Sequence, residues 1–405
     1  MVGELGQVAG TRVGIVGTGW MAETHTEALR RLGIEVAGVA GRTPERAREA
    51  ADRLGLATAY DSVEALVKDD SLAAVHVTSP NDVHAEQAAA ALRAGRHVVC
   101  EKPLGVTVTE TAALAELAAA SGLVNAVCFN LRFAPHNHNA AGMVRAGELG
   151  EPRYVTGSYH QDWLLEETDW NWRLVAGRQG SLRAVADIGS HWLDLVSFVS
   201  GRRVTEVLAD LHTFVPERNH PLGEVGTFAA HGVADDVERV REPMSSDDAA
   251  GILLRLEGGM RGVCSVSQVS AGRKNRLSWE LNGSRRSLAW TSEEPEYLWV
   301  GHRGRPNELS NKDPGLMSGP GAAVTGYPAG HVEGYPDTFR GLFAAVYADV
   351  AAGRPQREPA YPTFADGHDE MLVNDAVAES SRLGRWVDVV RGPVLTGVPV
   401  EARAR

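Results

Sequence analysis

The sequence predicts two units in series: a doubly wound parallel α/β unit over residues 1–133 and an α+β unit over residues 134–405. Three observations predict this. The first third alternates short apolar runs with helix-period segments of roughly 10–15 residues. A glycine-rich turn, Gly17-Thr18-Gly19, joins the first run to the first helix. Beyond Phe133 the runs lengthen and alternate as strands of a mostly antiparallel sheet do, with few helical segments between them.

The elements follow in order. Arg12 to Val16 is the first strand, and the helical pattern after it runs from Met21 to Leu32. Glu35 to Ala40 is the second strand. Pro44 to Leu54 is a helix, with Thr43 as its N-cap and proline in the first turn, where its missing N–H costs nothing. Ala73 to Thr78, His97 to Cys100 and Leu123 to Phe129 are further strands, separated by helices at Val83 to Ala94 and Thr109 to Ala120. The second unit carries strand patterns at Arg153–His160, Val204–Phe214, Ala249–Leu256, Gly259–Gln268, Leu277–Leu281 and Ser287–Trp290. Helical patterns lie at Ile188–Val199, Thr338–Ala351 and Asp366–Leu383, and no segment repeats another. Two glycine- and charge-rich stretches, Pro216–Asp248 and Arg303–Gly330, read as long excursions of the kind that shape a site or an assembly contact.

Composition excludes several classes. A net charge of -12, with no basic block, sets the surface against a phosphate backbone, so no nucleic-acid partner is expected. No run approaches the roughly 18 apolar residues of a membrane helix. The start of the chain has no apolar core behind a basic segment, so no secretory signal is expected. Cys100, Cys128 and Cys264 are odd in number and two sit in apolar runs, as reduced thiols of a cytoplasmic protein do.

Four constellations carry chemistry. Val13-Gly14-Ile15-Val16-Gly17-Thr18-Gly19-Trp20-Met21-Ala22 is a GxGxxA turn between strand and helix. Gly17 permits the turn, Gly19 lets a pyrophosphate reach the backbone, and Ala22 lets the helix pack on the strand, so this loop is read as a dinucleotide site. An NAD site of this kind usually ends its second strand in an acid for the ribose hydroxyls. Here that end reads Val39-Ala40-Gly41-Arg42-Thr43, which favours NADP over NAD, with a solvated or adenine-stacked Arg42 as the alternative. Thr78-Ser79-Pro80-Asn81-Asp82-Val83-His84 ends the third strand of the pattern, at the edge where open α/β sheets bind ligands. Glu101-Lys102-Pro103 ends the next strand at the same edge. There a desolvated lysine can hold a substrate hydroxyl or take its proton.

The last constellation is Asp187-Ile188-Gly189-Ser190-His191. Four residues apart on a helix, Asp187 and His191 share a face, as an acid/base pair needs; a capping aspartate beside a satisfied histidine has the same spacing. Tyr159-His160-Gln161-Asp162-Trp163 and Trp170-Asn171-Trp172-Arg173 offer aromatic faces for a sugar ring with polar groups for its hydroxyls. His160, Gln161, Asp162, Trp163 and Trp172 are the substrate candidates from these stretches. His136 and His138 lack a carboxylate or cysteine at metal spacing, so no metal is expected.

Together these residues resemble the glucose–fructose oxidoreductase/inositol dehydrogenase (Gfo/Idh/MocA) family. The resemblance runs from about Arg12 to about Val390 and rests on VGIVGTGWMA, VTSPNDVHAEQAAAALRAGRHVVCEKPLG, DIGSHWLD, HVEGYPDTF and DGHDEMLVNDAVAESSRLGRWVDV. It implies a Rossmann domain followed by an open-sheet domain with helices on one face, and an active site between them. It implies that Lys102, Asp187 and His191 are catalytic. It also implies that Gly17, Gly19, Arg42, Asn81, His84, Glu101 and Lys102 line the cofactor. Thr18, Trp20, Met21, Thr78, Ser79, Asn130 and Arg173 complete the candidate cofactor set. Pairing of sheet faces into a homodimer or homotetramer is implied too. Gln179-Gly180-Ser181 stands where the family often has a glycine triplet, which alters the loop before Asp187. The expected activity is NAD(P)-dependent oxidation of a hydroxyl-bearing carbon of a sugar, glycoside or cyclitol. Two rivals share the fold: a glycoside hydrolase that oxidises its sugar transiently, and a non-catalytic sugar or cofactor sensor. Retention of all three catalytic residues argues against the sensor.

Overall fold

The computed structural model describes residues 8–175, 178–222 and 238–392. Its first sheet has strands β1 (Arg12–Val16), β2 (Glu35–Ala40), β3 (Thr58–Tyr60), β4 (Ala74–Val77), β5 (His97–Cys100) and β6 (Asn125–Val127). All pair in parallel, in the order β3-β2-β1-β4-β5-β6. Helices α1 (Trp20–Arg31), α2 (Pro44–Leu54), α3 (Val63–Val67), α4 (His84–Arg93) and α5 (Val108–Ser121) connect them. Thr43 caps α2 by accepting from Arg46 N at 3.3 Å. Thr107 and Glu110 form a reciprocal capping box at the start of α5. The topology reverses between β1 and β4, so their C-terminal ends open a crevice. The sequence pattern does not predict β3 and α3, because a three-residue, half-buried strand carries too little periodicity.

The second unit is a nine-stranded sheet in the order β16-β15-β14-β13-β7-β12-β11-β8-β17. Its strands are β7 (Pro152–His160), β8 (Val204–His212), β11 (Ala249–Leu256), β12 (Arg261–Ser267), β13 (Arg276–Gly283), β14 (Ser287–Thr291), β15 (Tyr297–Gly301), β16 (Glu308–Asn311) and β17 (Val387–Asp388). Pairing is antiparallel except between β7 and β12. A separate hairpin, β9 (Glu217–Pro221) with β10 (Arg239–Pro243), occupies both ends of the stretch read as one long excursion, whose residues 223–237 lie outside the described ones. The other excursion contains β16 and helix α8 (Gly319–Val324) and is anchored by buried Lys312, whose Nζ donates to Glu333 at 2.6 Å.

Helices α6 (Pro135–Arg145), α7 (Ser190–Ser200) and α10 (Phe364–Leu383) supply the other side of the second core. Trp192 of α7 is fully buried and its Nε1 donates to Ser278 O at 2.9 Å. It needs glycine opposite: a Cβ on Gly157 would lie 2.6 Å from that nitrogen and 2.1 Å from Ser278 O. His136 and His138 lie on α6, where His136 Nε2 bonds Glu296 O at 3.0 Å and the His138 ring packs on Phe133 and Phe198.

Helix α9 (Tyr335–Ala351) returns to the first unit. Phe339, Leu342, Phe343, Val346 and Tyr347 pack with Val13, Ile15, Ala22 and Leu29. Full burial of such an apolar side chain contributes about 1.5–3 kcal/mol. The C-terminal third therefore helps to build the core beneath the glycine loop.

Candidate active site

The crevice widens into a cavity of about 1050 Å³ lined from both units. Gly17 sits at φ +114°, and a Cβ there would meet Thr78 Oγ1 at 2.6 Å, so only glycine fits. Gly19 has nothing within 4 Å of its missing Cβ and leads into α1, whose free N–H groups start at Trp20. An open glycine beside a helix N-terminus fits the pyrophosphate of a dinucleotide. Arg42, Arg46, Ser62 and Glu64 line the far end of the cavity, past β2.

At the end of β4, Thr78 Oγ1 donates to Val16 O at 3.0 Å, and Asn81 Nδ2 donates to Gln179 Oε1 at 2.8 Å. His84 is fully buried, with one ring nitrogen 2.8 Å from Pro103 O and the other 2.7 Å from Ser79 O. It ties the β4 turn to the β5 turn. Asn130 donates through Nδ2 to Thr338 at 2.7 Å, while its buried Oδ1 has no partner among the described residues.

Glu101 ends a buried chain. Its Oε1 lies 3.0 Å from His25 Nε2; His25 Nδ1 lies 2.9 Å from His76 Nδ1; His76 Nε2 lies 2.7 Å from Tyr347 OH. Burial raises the Glu101 carboxyl, but the bond to His25 and its charge outweigh it and hold the group below the usual range. Glu101 Oε2 accepts from Lys102 N at 3.2 Å, which fixes the backbone from which the lysine projects.

Lys102 Nζ crosses to the second unit and donates to Asp187 O at 2.6 Å and Asp187 Oδ1 at 2.9 Å. Arg173 Nε lies 3.1 Å from the same Oδ1, and Gln268 Nε2 donates to Oδ2 at 2.8 Å. Burial would raise the Asp187 carboxyl; Arg173 and Lys102 more than reverse this and hold it well below the usual carboxylate range. A π-helical turn, Val185–Gly189, carries Asp187 into α7, on whose first turn His191 stands.

The glycine loop, the lysine at the β5 edge and the Asp187 turn mark a nicotinamide enzyme, and the family comparison agrees over both units. Residues 11–129 match the model of the Gfo/Idh/MocA oxidoreductase family, NAD-binding Rossmann fold, and residues 138–289 match the Gfo/Idh/MocA C-terminal domain. The chain belongs to the Gfo/Idh/MocA oxidoreductase family. It is 29% identical over 391 residues to levoglucosan dehydrogenase of Pseudarthrobacter phenanthrenivorans, covering 93% of this chain and 97% of that protein. An oxidoreductase domain protein from Kribbella flavida superposes with a TM-score of 0.83 at 33% identity, over 95% of this chain and 100% of that one. A levoglucosan dehydrogenase solved with NADH and levoglucosan superposes with a TM-score of 0.83 at 27% identity, over 94% of this chain and 99% of that one.

As a member of this family the chain carries its cofactor-side candidates to one cavity: Gly17, Thr18, Gly19, Trp20, Met21, Arg42, Thr78, Ser79, Asn81, His84, Glu101, Lys102, Asn130 and Arg173 all line it. So do Gln161, Trp163, Trp172, Asp187 and His191. His160 and Asp162 do not. Strand alternation sends His160 to the opposite face of the sheet, where Nε2 lies 2.9 Å from Ser265 Oγ, and Asp162 accepts from Lys274 Nζ at 2.6 Å and Gly272 N at 3.1 Å. The same alternation turns Tyr159 inward, where its OH donates to Asn275 Oδ1 at 2.8 Å beside Gln161. Tyr159 was thus readable from the strand period, whereas Asn275, Gln268 and Tyr335 come from distant segments with no local signal.

The expected Asp187–His191 pair is not a hydrogen-bonded one. Lys102, Arg173 and Gln268 occupy the Asp187 oxygens, and His191 Nδ1 is buried without a partner among the described residues. Burial, then the Lys102 charge, push the imidazole down to about 3, so the ring is neutral at pH 7. Between about 6.5 and about 3 the unfolded chain binds a proton at this position and the folded protein does not, so stability falls as pH falls through that window. In His191→Gln the unfolding free energy, measured in urea, should depend less steeply on pH over that window than in the parent. Equal slopes would contradict the assignment.

Proposed function

We propose that the protein is a nicotinamide-dependent dehydrogenase that oxidises a secondary hydroxyl of a sugar, anhydrosugar or cyclitol, with NADP as the favoured cofactor. The observation that carries this reading is the meeting of Lys102 with Asp187 and His191 in one cavity, between the glycine loop and the Trp163/Trp172 wall. Its support from relatives is the likeness to levoglucosan dehydrogenase over nearly the whole chain.

When bound, the nicotinamide supplies the hydride acceptor. The chain's own groups handle the hydroxyl. Lys102 Nζ, with two of its donors committed to Asp187, has a third for the substrate oxygen. Asp187 keeps that ammonium pointed. Neutral His191 is in the form that accepts the hydroxyl proton. Trp163 and Trp172 line the cavity with aromatic surface suited to a sugar ring, and Gln161 and Asn275 offer amides for its hydroxyls. On the cofactor side, Arg42 and Arg46 beyond Gly41 suit a 2′-phosphate.

The outer face of the second sheet suits pairing of two chains into a homodimer or a larger assembly. Leu208, Leu253, Val263 and Thr156 align across four strands by register on that face, and Leu253 is 43% exposed.

Lys102→Ala and His191→Ala should each lower turnover by about 10²–10⁴-fold with levoglucosan, monosaccharides or inositols, with cofactor affinity changed only a few-fold. Absorbance of the reduced nicotinamide measures the first and nicotinamide fluorescence the second. Turnover near the parent's in either variant would refute the roles. Arg42→Ala should weaken NADP(H) binding about tenfold or more and NAD(H) binding little. Equal losses for both cofactors would refute the NADP preference.

A further inference from the structure

The β9–β10 hairpin stands outside both main sheets and is bonded to the segment 164–170. Arg218 of β9 is fully buried. Its Nη1 donates to Glu166 O at 2.9 Å and its Nη2 to Leu164 O at 2.8 Å. Asn219 N donates to Glu167 O at 2.9 Å, and Arg239 Nη1 of β10 to Thr168 O at 2.9 Å. The His220 ring stacks on Trp170 with centroids 4.0 Å apart. The carbonyls of Leu164, Glu166, Glu167 and Thr168 and the ring of Trp170 are thus held from the hairpin. Trp163 and Trp172, which line the cavity, flank the segment so held.

The same arginine leads to Asp187. Arg218 Nη2 also donates to Asp248 Oδ1 at 3.0 Å, and Arg183 Nη2 pairs with the same oxygen. Arg183 Nη1 donates to Gln268 Oε1 at 2.8 Å, and Gln268 Nε2 donates to Asp187 Oδ2. Two buried guanidiniums on one buried carboxylate are a poor device for stability alone, because desolvation consumes most of the attraction and apolar side chains do as well. A planar guanidinium is, however, suited to reach several carbonyls at fixed angles, which an ammonium is not.

We propose that Arg218 is a specificity-determining positioning residue: it clamps the Trp163–Trp172 wall of the substrate compartment and, through Asp248, Arg183 and Gln268, registers that wall against Asp187. This rests on the reading of that end of the cavity as the sugar compartment. Two variants separate its arms. Arg218→Lys keeps the charge beside Asp248 but loses the fork. Gln268→Leu keeps the fork but cuts the link to Asp187.

Amide hydrogen exchange on the free protein needs no substrate and reads the clamp directly, since Leu164, Leu165 and Asp169 N–H groups are bonded within or beside the segment. Arg218→Lys should speed exchange over residues 163–172 about tenfold or more and leave the peptide covering 97–101 unchanged. Gln268→Leu should leave both unchanged. With levoglucosan or another oxidised sugar, Arg218→Lys should raise KM about tenfold with kcat within about threefold, and Gln268→Leu should lower kcat with KM within about threefold. Exchange over 163–172 at the parent's rate in Arg218→Lys, or acceleration spread evenly over the whole protein, would overturn the proposal. So would equal kcat losses in both variants with KM unmoved. A parent protein that oxidises none of the sugars sinks the dehydrogenase reading instead, and the exchange result still decides the clamp.

Discussion

The Lys102–Asp187 contact is the constraint on which the rest of the site depends. It joins an ammonium at the end of a Rossmann strand to a carboxylate on the π-helical turn that leads into α7 of the other unit, both nearly removed from solvent. Two buried charges carry a desolvation cost that one contact rarely offsets, and removing one partner of such a pair typically costs about 3–5 kcal/mol. Here the carboxylate gains Arg173 and Gln268 as well, and the ammonium gains the Asp187 carbonyl. The pair is therefore part of a network of charges and hydrogen bonds that ties the β5 edge to the Asp187 turn.

The lysine is held from behind as firmly as from in front. Its backbone N–H is bonded by Glu101, Glu101 by His25, His25 by His76, and His76 by Tyr347 of the returning helix α9. Burial pushes His76 well below its ordinary range, so this ring is neutral and works as a hydrogen-bonding spacer rather than a charge. Such a chain specifies geometry because each member, if displaced, leaves a buried polar group unpaired. It also explains why helix α9 contributes to a site whose motifs lie far upstream.

Much of this was legible because the relevant signals are local. Gly17 is required by a positive φ and a 2.6 Å approach, so the turn shows as glycine in the sequence. The parallel strands show as short apolar runs because both faces are buried, and the strand edge then places Lys102 without further information. What escaped depends on contacts between distant segments or on a departure from regular geometry. The π-helical turn gives Asp187 to Lys102 and Arg173 rather than to His191, although a spacing of four promised a shared face. Gln268 and Asn275 reach the site from the second sheet, where nothing local distinguishes them from surface amides. His160 and Asp162 stand in a polar aromatic stretch that composition marks as a whole, but the alternation of β7, continued past its end, brings Tyr159, Gln161 and Trp163 to the cavity and leaves those two out.

The central claim is that a hydride leaves the sugar's carbinol carbon and stays on the cofactor. The most direct measurement uses levoglucosan, or another oxidised sugar, deuterated at its carbon-bound positions. It is incubated with the protein and oxidised cofactor, and the reduced nicotinamide is weighed by mass spectrometry. The account predicts one deuterium on each reduced nicotinamide formed. Reduced cofactor without label, or sugar cleavage with no net change in the cofactor, would contradict it.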